Sequence, residues 1–352
     1  MPDRRPAFTL VELLVVVLVC VVLIALLTQG LTQTRQHASI AAPAGVERDW
    51  KKFPAITEIH GAPLIYALGD IHGDYDKAVK TLVAAGLLKA VPAKPEDAKW
   101  AGGSAVFVCT GDMIDKGPEG LPVVRLLRLL QADAAATGGR LIVTLGNHEA
   151  EFLASAGAGR KTADFSTELR AAKLDPASVA AGTDAEGLGA WLRNLPASAK
   201  VDDWFFSHAG NTHGQTIDQL EAAIEDGLGK QGFAAPIFAD DDSLLEARMH
   251  PVPWWDLPKP TGVTRLRDNA TALGCNHLVA GHQPGAVDFA DHTQRARDDA
   301  FAYEGTLFLI DTGMSRGVDD AKGVVLKVDV GKNESVHVID STGADRLLWE
   351  KK

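Results

Sequence analysis

Five short motifs, each closing an apolar run, constrain this chain more than any other feature. They are Gly69-Asp70-Ile71-His72-Gly73, Gly111-Asp112-Met113-Ile114-Asp115, Gly146-Asn147-His148-Glu149, Ser207-His208-Ala209-Gly210 and Gly281-His282-Gln283-Pro284. The runs before them are Leu64-Ile65-Tyr66-Ala67-Leu68, Ala105-Val106-Phe107-Val108-Cys109, Leu141-Ile142-Val143-Thr144-Leu145, Trp204-Phe205-Phe206 and Leu278-Val279-Ala280. Short β-branched and aromatic runs stopped by glycine read as buried strands. Five such strand ends, each offering polar side chains, can converge on one edge of a sheet, where α/β proteins place their sites. After the first motif Val79, Leu82, Val83 and Leu87 recur at helical spacing, and Leu126, Leu127, Leu129 and Leu130 do so after the second. Strand–loop–helix units of this kind predict α/β layering. Residues 306–310 and 323–329 read as strands closing a second sheet. The Ala-rich stretch 151–196 carries helical segments without ligand motifs. It is expected to form a cap over the site, with a merely packed helical excursion as the alternative.

The side chains in the motifs narrow the chemistry. Three carboxylates (Asp70, Asp112, Asp115), one amide (Asn147) and four imidazoles (His72, His148, His208, His282) form a mixed oxygen and nitrogen set without a thiolate. Such a set suits Mn, Fe or Zn, whereas magnesium and calcium prefer oxygen alone. Two metals about 3.5–4 Å apart can clamp a phosphoryl group and generate hydroxide between them. That arrangement needs a carboxylate able to bridge both ions, and Asp112 sits in the middle of the ligand order. A lone Gly-Asp is far more often a turn than a ligand. Five ordered motifs, each behind a buried strand, outweigh that ordinary reading.

The combination of GDIHG, GDxxD, GNHE, HAG and GHQP resembles the calcineurin-like metallophosphoesterases, over roughly residues 64–315. Within them the chain is similar to the phosphoprotein phosphatase group, close to the Shewanella-like phosphatases. The resemblance implies two facing mixed β-sheets flanked by helices. It implies one metal held by Asp70, His72 and Asp112, and a second held by Asp112, Asn147, His208 and His282. The same resemblance makes His148 the proton donor to the leaving oxygen and Asp115 the carboxylate that orients it. The physics agrees, because a leaving alkoxide or phenoxide needs a proton and imidazole supplies one near neutral pH. Two divalent or trivalent ions are expected, Mn first, with Fe or Zn as alternatives. The implied reaction is phosphomonoester hydrolysis on phosphoprotein side chains. Small phosphoesters or dinucleoside polyphosphates are the alternative substrates. A pilin-like structural subunit with a passive phosphoester-binding domain is the alternative of another class, although a binding module has no need of His148 with Asp115.

One departure matters. The group's pattern reads GDxxDRG, but here Lys116 follows Asp115. Lysine keeps the charge that would contact the substrate phosphate, together with Asn147, but loses the planar bidentate fork. A second phosphate-binding arginine is expected between the fourth and fifth motifs, or after Asp311-Thr312-Gly313. Arg248, Arg265 and Arg316 are the candidates, with Arg248 taken first.

Composition sets outer bounds. With 352 residues and 46% hydrophobic content, the chain can bury one large or two modest cores. A formal net charge of −11 argues against a nucleic-acid partner, which needs a basic face to release counterions. Cys20, Cys109 and Cys275 all fall in or beside apolar runs and form no disulfide framework.

The N-terminus is the second informative region. Residues 8–27 carry one strongly polar side chain, Glu12, and about 20 mostly apolar residues suffice to span a bilayer. Arg4 and Arg5 precede the run, which places the N-terminus in the cytoplasm and the rest of the chain outside it, in the periplasm or extracellular space. Ala7-Phe8-Thr9-Leu10-Val11-Glu12 also resembles the class III signal of type IV pilin-like proteins, which implies cleavage by a prepilin peptidase before Phe8. A plain signal anchor is the competing reading. Residues 28–63 read as a tether, punctuated by Pro43, Pro54 and Pro63, leading into a hydrolase domain over 64–352.

Overall fold

The structure, a computed structural model, describes residues 48–155, 158–257, 261–331 and 333–352. Its layering follows from alternation along strand β2 (Leu64–Leu68), which is apolar on both faces. Ile65 and Ala67 enter one buried cluster, while Tyr66 and Leu68 enter another. A strand with two apolar faces must be covered on both sides.

Two six-stranded mixed sheets result. One runs β14 (Asp345–Glu350), β13 (Ser335–Asp340), β12 (Val324–Asp329), β2, β3 (Val106–Cys109), β4 (Arg140–Val143). The pairs β2–β3 and β3–β4 are parallel, and β12, β13 and β14 add antiparallel neighbours. The other runs β1 (Ile56–Ile59), β5 (Ser198–Val201), β6 (Trp204–Ser207), β7 (His277–Ala280), β11 (Leu307–Leu309), β10 (Phe301–Tyr303). There β6–β7 and β7–β11 are parallel, while β8 (Val287–Asp288) and β9 (Gln294–Arg295) pair antiparallel apart from both sheets.

Ile65, Val108, Ile142, Leu326 and Val338 of the first sheet share one core with Trp204, Phe206, Val279 and Phe308 of the second. Each such large apolar side chain contributes roughly 1.5–3 kcal/mol by leaving water. The outer faces are covered by helices. Tyr75–Ala84 packs through Ala78, Val79 and Leu82, and Gly120–Ala136 through Val123, Leu126, Leu127 and Leu130, in the cluster that holds Phe107 and Cys109. This is the expected α/β sandwich of two sheets flanked by helices.

Three expectations change. The motif strands do not share one sheet: β2, β3 and β4 lie in one and β6 and β7 in the other, so the ligands meet where two sheets' strand ends face each other. Likewise, 306–310 and 323–329 supply β11 and β12 to opposite sheets, and a C-terminal hairpin, β13–β14, extends the second of these. The described part of the expected tether is not free chain. Its residues 56–59 form β1, paired in parallel with β5, and the Arg48 guanidinium donates to the Phe53 and Pro54 carbonyls at 2.8 Å each. The stretch 151–196 packs into the outer core and also reaches the site, where the Phe165 amide donates to Asp115 at 3.0 Å. Its helices Ala163–Ala171, Pro176–Ala181 and Leu188–Arg193 bury Phe165, Leu169, Val179 and Leu192 in the outer core.

Among the described residues no helix is long and apolar enough to cross a membrane. The apolar run 8–27, with its anchor, pilin-like and prepilin-peptidase readings, lies outside the described residues, as does the first part of the tether.

Candidate metal centre

The site is built from loops that press backbone against backbone. Ile71 and His72 donate their amides to the Asp112 carbonyl at 3.0 and 2.9 Å, and Gly73 donates to the Met113 carbonyl at 2.9 Å. Gly111, at φ +90°, faces Gly146 so closely that a Cβ on either would strike the other loop's backbone, which is why both positions need glycine. Glu149 binds these loops together. Its Oε2 accepts from the amides of Asp112 at 2.8 Å and Gly146 at 2.9 Å, and its Oε1 from Met113 at 2.8 Å and Ile114 at 3.3 Å.

Asp112 is divided between two duties. Its Oδ1 accepts from the His148 amide at 3.0 Å, in the first turn of the helix Asn147–Ser155, where unpaired N–H groups favour an anion. Its Oδ2 is left to face the imidazoles, 3.4 Å from His72 Nε2 and 3.4 Å from His208 Nε2. One carboxylate oxygen therefore lies between two ligand groups. Around the first, Asp70 Oδ2 stands 3.8 Å from His72 Nε2. Around the second, His208 Nε2 lies 3.1 Å from Asn147 Oδ1 and 2.9 Å from His282 Nδ1.

The tautomers follow from the partners. His72 Nδ1 meets the Ile114 carbonyl at 3.1 Å, and His208 Nδ1 meets the Thr110 carbonyl at 3.0 Å. A carbonyl only accepts, so each Nδ1 carries a proton and each Nε2 is the atom left to meet a metal. Backbone carbonyls in this role are the usual orienting partners of metal-binding histidines.

The charges fit cations. Burial opposes charge on Asp112, but His208, His148 and His72 outweigh it and hold the carboxyl well below its usual range. Burial, Asp311 and Asp112 push Asp70 well above it. Burial drives His72 down to about 3, and burial with His208 and Arg248 holds His282 well below its usual value. Burial would lower His208 too, yet Asp112 and Asp70 push it up to about 10, so a proton there answers part of the carboxylates' demand for positive charge. His282 Nε2 is buried without a hydrogen-bond partner. Converging acceptors, imidazoles aimed at shared carboxylates and acids in excess of cations are the donor set of a metal site.

His148 stands apart from the ligands. It lies within reach of His72 and Asp112 as a possible third ligand. However, its Nε2 is 4.0 Å from Asp112 Oδ2, while its Nδ1 is held 3.3 Å from Asp115 Oδ2. Asp115 Oδ1 in turn accepts from the Phe165 amide at 3.0 Å, so the helical excursion fixes this dyad. Burial pulls the His148 pKa down, but Asp112 and Asp115 outweigh it and leave the pKa raised. That suits a proton donor better than a ligand.

The candidate cations separate clearly. Lys116 Nζ lies 3.2 Å from His72 Nε2, at the site. Arg248 Nη1 donates to the His282 carbonyl at 3.3 Å, beside it. Arg316 is committed elsewhere, to Asp74 at 2.9 Å and Glu119 at 3.2 Å, and Arg265 donates to the Leu257 carbonyl. Three supporting acids were not foreseen as such. Glu149 was visible three residues after Gly146 in a motif, but Glu246 and Asp311 belong to no recognisable spacing. His72, Asp112, Asp115, Lys116 and His282 all adopt positive φ, between 45° and 64°, where side chains are strained.

The profile of the calcineurin-like phosphoesterases matches residues 63–286. The chain belongs to that family. A Shewanella-like protein phosphatase 1 from Plasmodium berghei is 26% identical over 304 residues, covering 82% of this chain and 75% of the relative. A symmetrical bis(5'-nucleosyl)-tetraphosphatase from Hamiltonella defensa is 32% identical over 251 residues, 68% of this chain and 75% of that protein. In two stronger but shorter matches the chain spans only 25% and 20% of the curated relatives' length. The crystal structure of a cold-active protein-tyrosine phosphatase from a psychrophilic Shewanella superposes with a TM-score of 0.62 at 17% identity, over 84% of each chain, which supports the fold. The His72–Asp112 and Asp112–His208–His282 groups of this family member are suited to metal ions.

Removing the Glu149 side chain strands four buried amides. Glu149→Ala is expected to cost roughly 3 kcal/mol or more, at about 1–3 kcal/mol for each unsatisfied group less what water recovers. Urea unfolding checks this, and an unchanged midpoint would show that the loops hold without the carboxylate.

Proposed function

We propose that the chain is a dinuclear metal-dependent phosphomonoesterase acting on phosphoprotein side chains. The observation that carries this reading is Asp112 Oδ2, 3.4 Å from an imidazole of each ligand group, with the His148–Asp115 pair alongside. Asp70, His72 and Asp112 would hold one ion, and Asp112, Asn147, His208 and His282 the other, with Mn as the first choice and Fe or Zn as alternatives. Bound there, two ions would polarise the phosphoryl group and supply a nucleophile from water at neutral pH.

The protein's own groups do the rest. Asp115 holds His148 Nδ1, so Nε2 can deliver a proton to the leaving oxygen. Lys116 would meet the phosphate charge as a point donor, with Asn147 and Arg248 beside it. Chelation is expected to abolish hydrolysis of an aryl phosphate. Asp112→Asn should lower metal occupancy by removing the shared charge. His148→Asn should keep both metals and lose about 10²- to 10⁴-fold in turnover. Full activity after chelation would refute the metal mechanism, and normal turnover in His148→Asn would remove that residue from its role.

Lys116 gives a separate test. A charged hydrogen bond of ~1.5–3 kcal/mol corresponds to a kcat/KM loss of about 10- to 100-fold in Lys116→Ala, which Lys116→Arg should restore. An unaltered kcat/KM in Lys116→Ala would mean that another cation meets the phosphate.

A second substrate reading rests on the 32% identity to the symmetrical tetraphosphatase. Turnover of phosphopeptides against dinucleoside polyphosphates separates the two readings.

For location, we propose from the sequence alone a cytoplasmic N-terminus and a catalytic domain outside the cytoplasmic membrane. Arg4 and Arg5 before the apolar run 8–27 support it. Protease added to intact spheroplasts should then reach the hydrolase domain, and protection of that domain would reverse the topology. N-terminal sequencing beginning at Phe8 would favour the pilin-like processing, and retention of residues 1–7 the plain anchor.

A further inference from the structure

Glu246 lies outside all five motifs, yet its carboxylate bonds directly to a side chain of the second ligand group. Its Oε1 accepts from Asn147 Nδ2 at 2.9 Å. The same oxygen accepts from Lys161 Nζ at 3.1 Å, and Arg248 Nη2 is 4.0 Å from Oε2.

An asparagine amide has two faces of nearly equal shape. One is an oxygen that can bind a cation, and the other is an NH2 that cannot. Nothing intrinsic to Asn147 chooses between them. A carboxylate chooses, because it only accepts and must meet the NH2. With Nδ2 bound to Glu246, Oδ1 is turned toward His208 Nε2, 3.1 Å away, where the second ion's ligand atoms converge. We infer that Glu246 is a positioning residue for the second metal, locking the Asn147 amide with its oxygen toward the ion. The inference rests on the dinuclear reading above. Lys161 is brought by the excursion that follows the third motif, and also lies 3.6 Å from Glu151. It neutralises Glu246 and so keeps an acid tolerable at a half-closed position.

This division of labour makes the inference testable by binding as well as by rate. Mn2+ is titrated calorimetrically into the metal-free full-length protein, with thermal unfolding of each variant as a check on folding. Glu246→Ala removes the acceptor, and one of the two Mn2+ sites should lose about 10- to 100-fold in affinity, the usual effect of removing an orienting partner. Glu246→Gln keeps an acceptor oxygen for Asn147 Nδ2 and should retain most of that affinity. Lys161→Met should leave both Mn2+ affinities at wild-type values, because the amide lock does not need the ammonium. Wild-type affinity at both sites in Glu246→Ala would overturn the inference while leaving the dinuclear reading intact. Equal losses in the Gln and Lys161→Met variants would also overturn it, since charge and not amide orientation would then be responsible. Absence of two Mn2+ sites in the wild-type protein would overturn both. Should Glu246→Ala fail to fold, the contrast between Glu246→Gln and Lys161→Met still decides, because loss in the first alone would also refute the lock.

Discussion

The buried carboxylate of Glu149 is the contact on which the rest of the site depends. Two loops that leave different strands are forced together at Gly111 and Gly146, and close approach of backbones leaves amides with no carbonyl to meet. Four of those amides converge on Glu149. A buried acid is costly alone, but it becomes a structural joint when its lone pairs are filled by fixed donors. With the loops set, Asp112 is placed so that one oxygen binds the helix start and the other faces the imidazoles. The chemistry is therefore a product of how the backbone is satisfied, not an addition to it.

A second constraint is that the site belongs to neither sheet. β2, β3 and β4 bring Asp70, His72, Asp112 and Asn147, whereas β6 and β7 bring His208 and His282. The core between the sheets, with Trp204, Phe206 and Phe308 against Ile65, Val108 and Leu326, sets the separation of these halves. Packed interiors resist compression, so the spacing of ligands across the gap is held by side chains that never approach the ions. The hydrogen bonds from the His282 amide to Asp70, at 3.0 and 3.2 Å, are a direct link across that gap.

Much of this was legible in the sequence because each ligand follows a strand end within four residues. Unbroken apolar runs and glycine punctuation mark such positions locally, and the motifs then name the side chains. The partition of those strands into two sheets was not legible, since a buried apolar run carries no mark of its neighbour. The same limit hid β1: Ile56-Thr57-Glu58-Ile59 is short, follows Pro54 and gains its strand character only from β5. Glu246, Asp311 and the buried Arg295, which donates to the Gln283 and Asp311 carbonyls, were silent for another reason. Their roles come from contacts across the fold, and no sequence spacing encodes them. Arg316 looked like a phosphate ligand by position, but Asp74, the N-cap of the helix Tyr75–Ala84, had already claimed it.

The left-handed backbone at His72, Asp112, Asp115, Lys116 and His282 has an implication for engineering. Such conformations cost of order 1–3 kcal/mol each for a residue with a side chain, and glycine adopts them freely. A library selected only for heat resistance would thus be drawn to these positions and would reward replacements that empty the site. The hardiest variants recovered that way would be the least active. A gain in robustness that spares catalysis has to be sought at positions where the backbone is already relaxed.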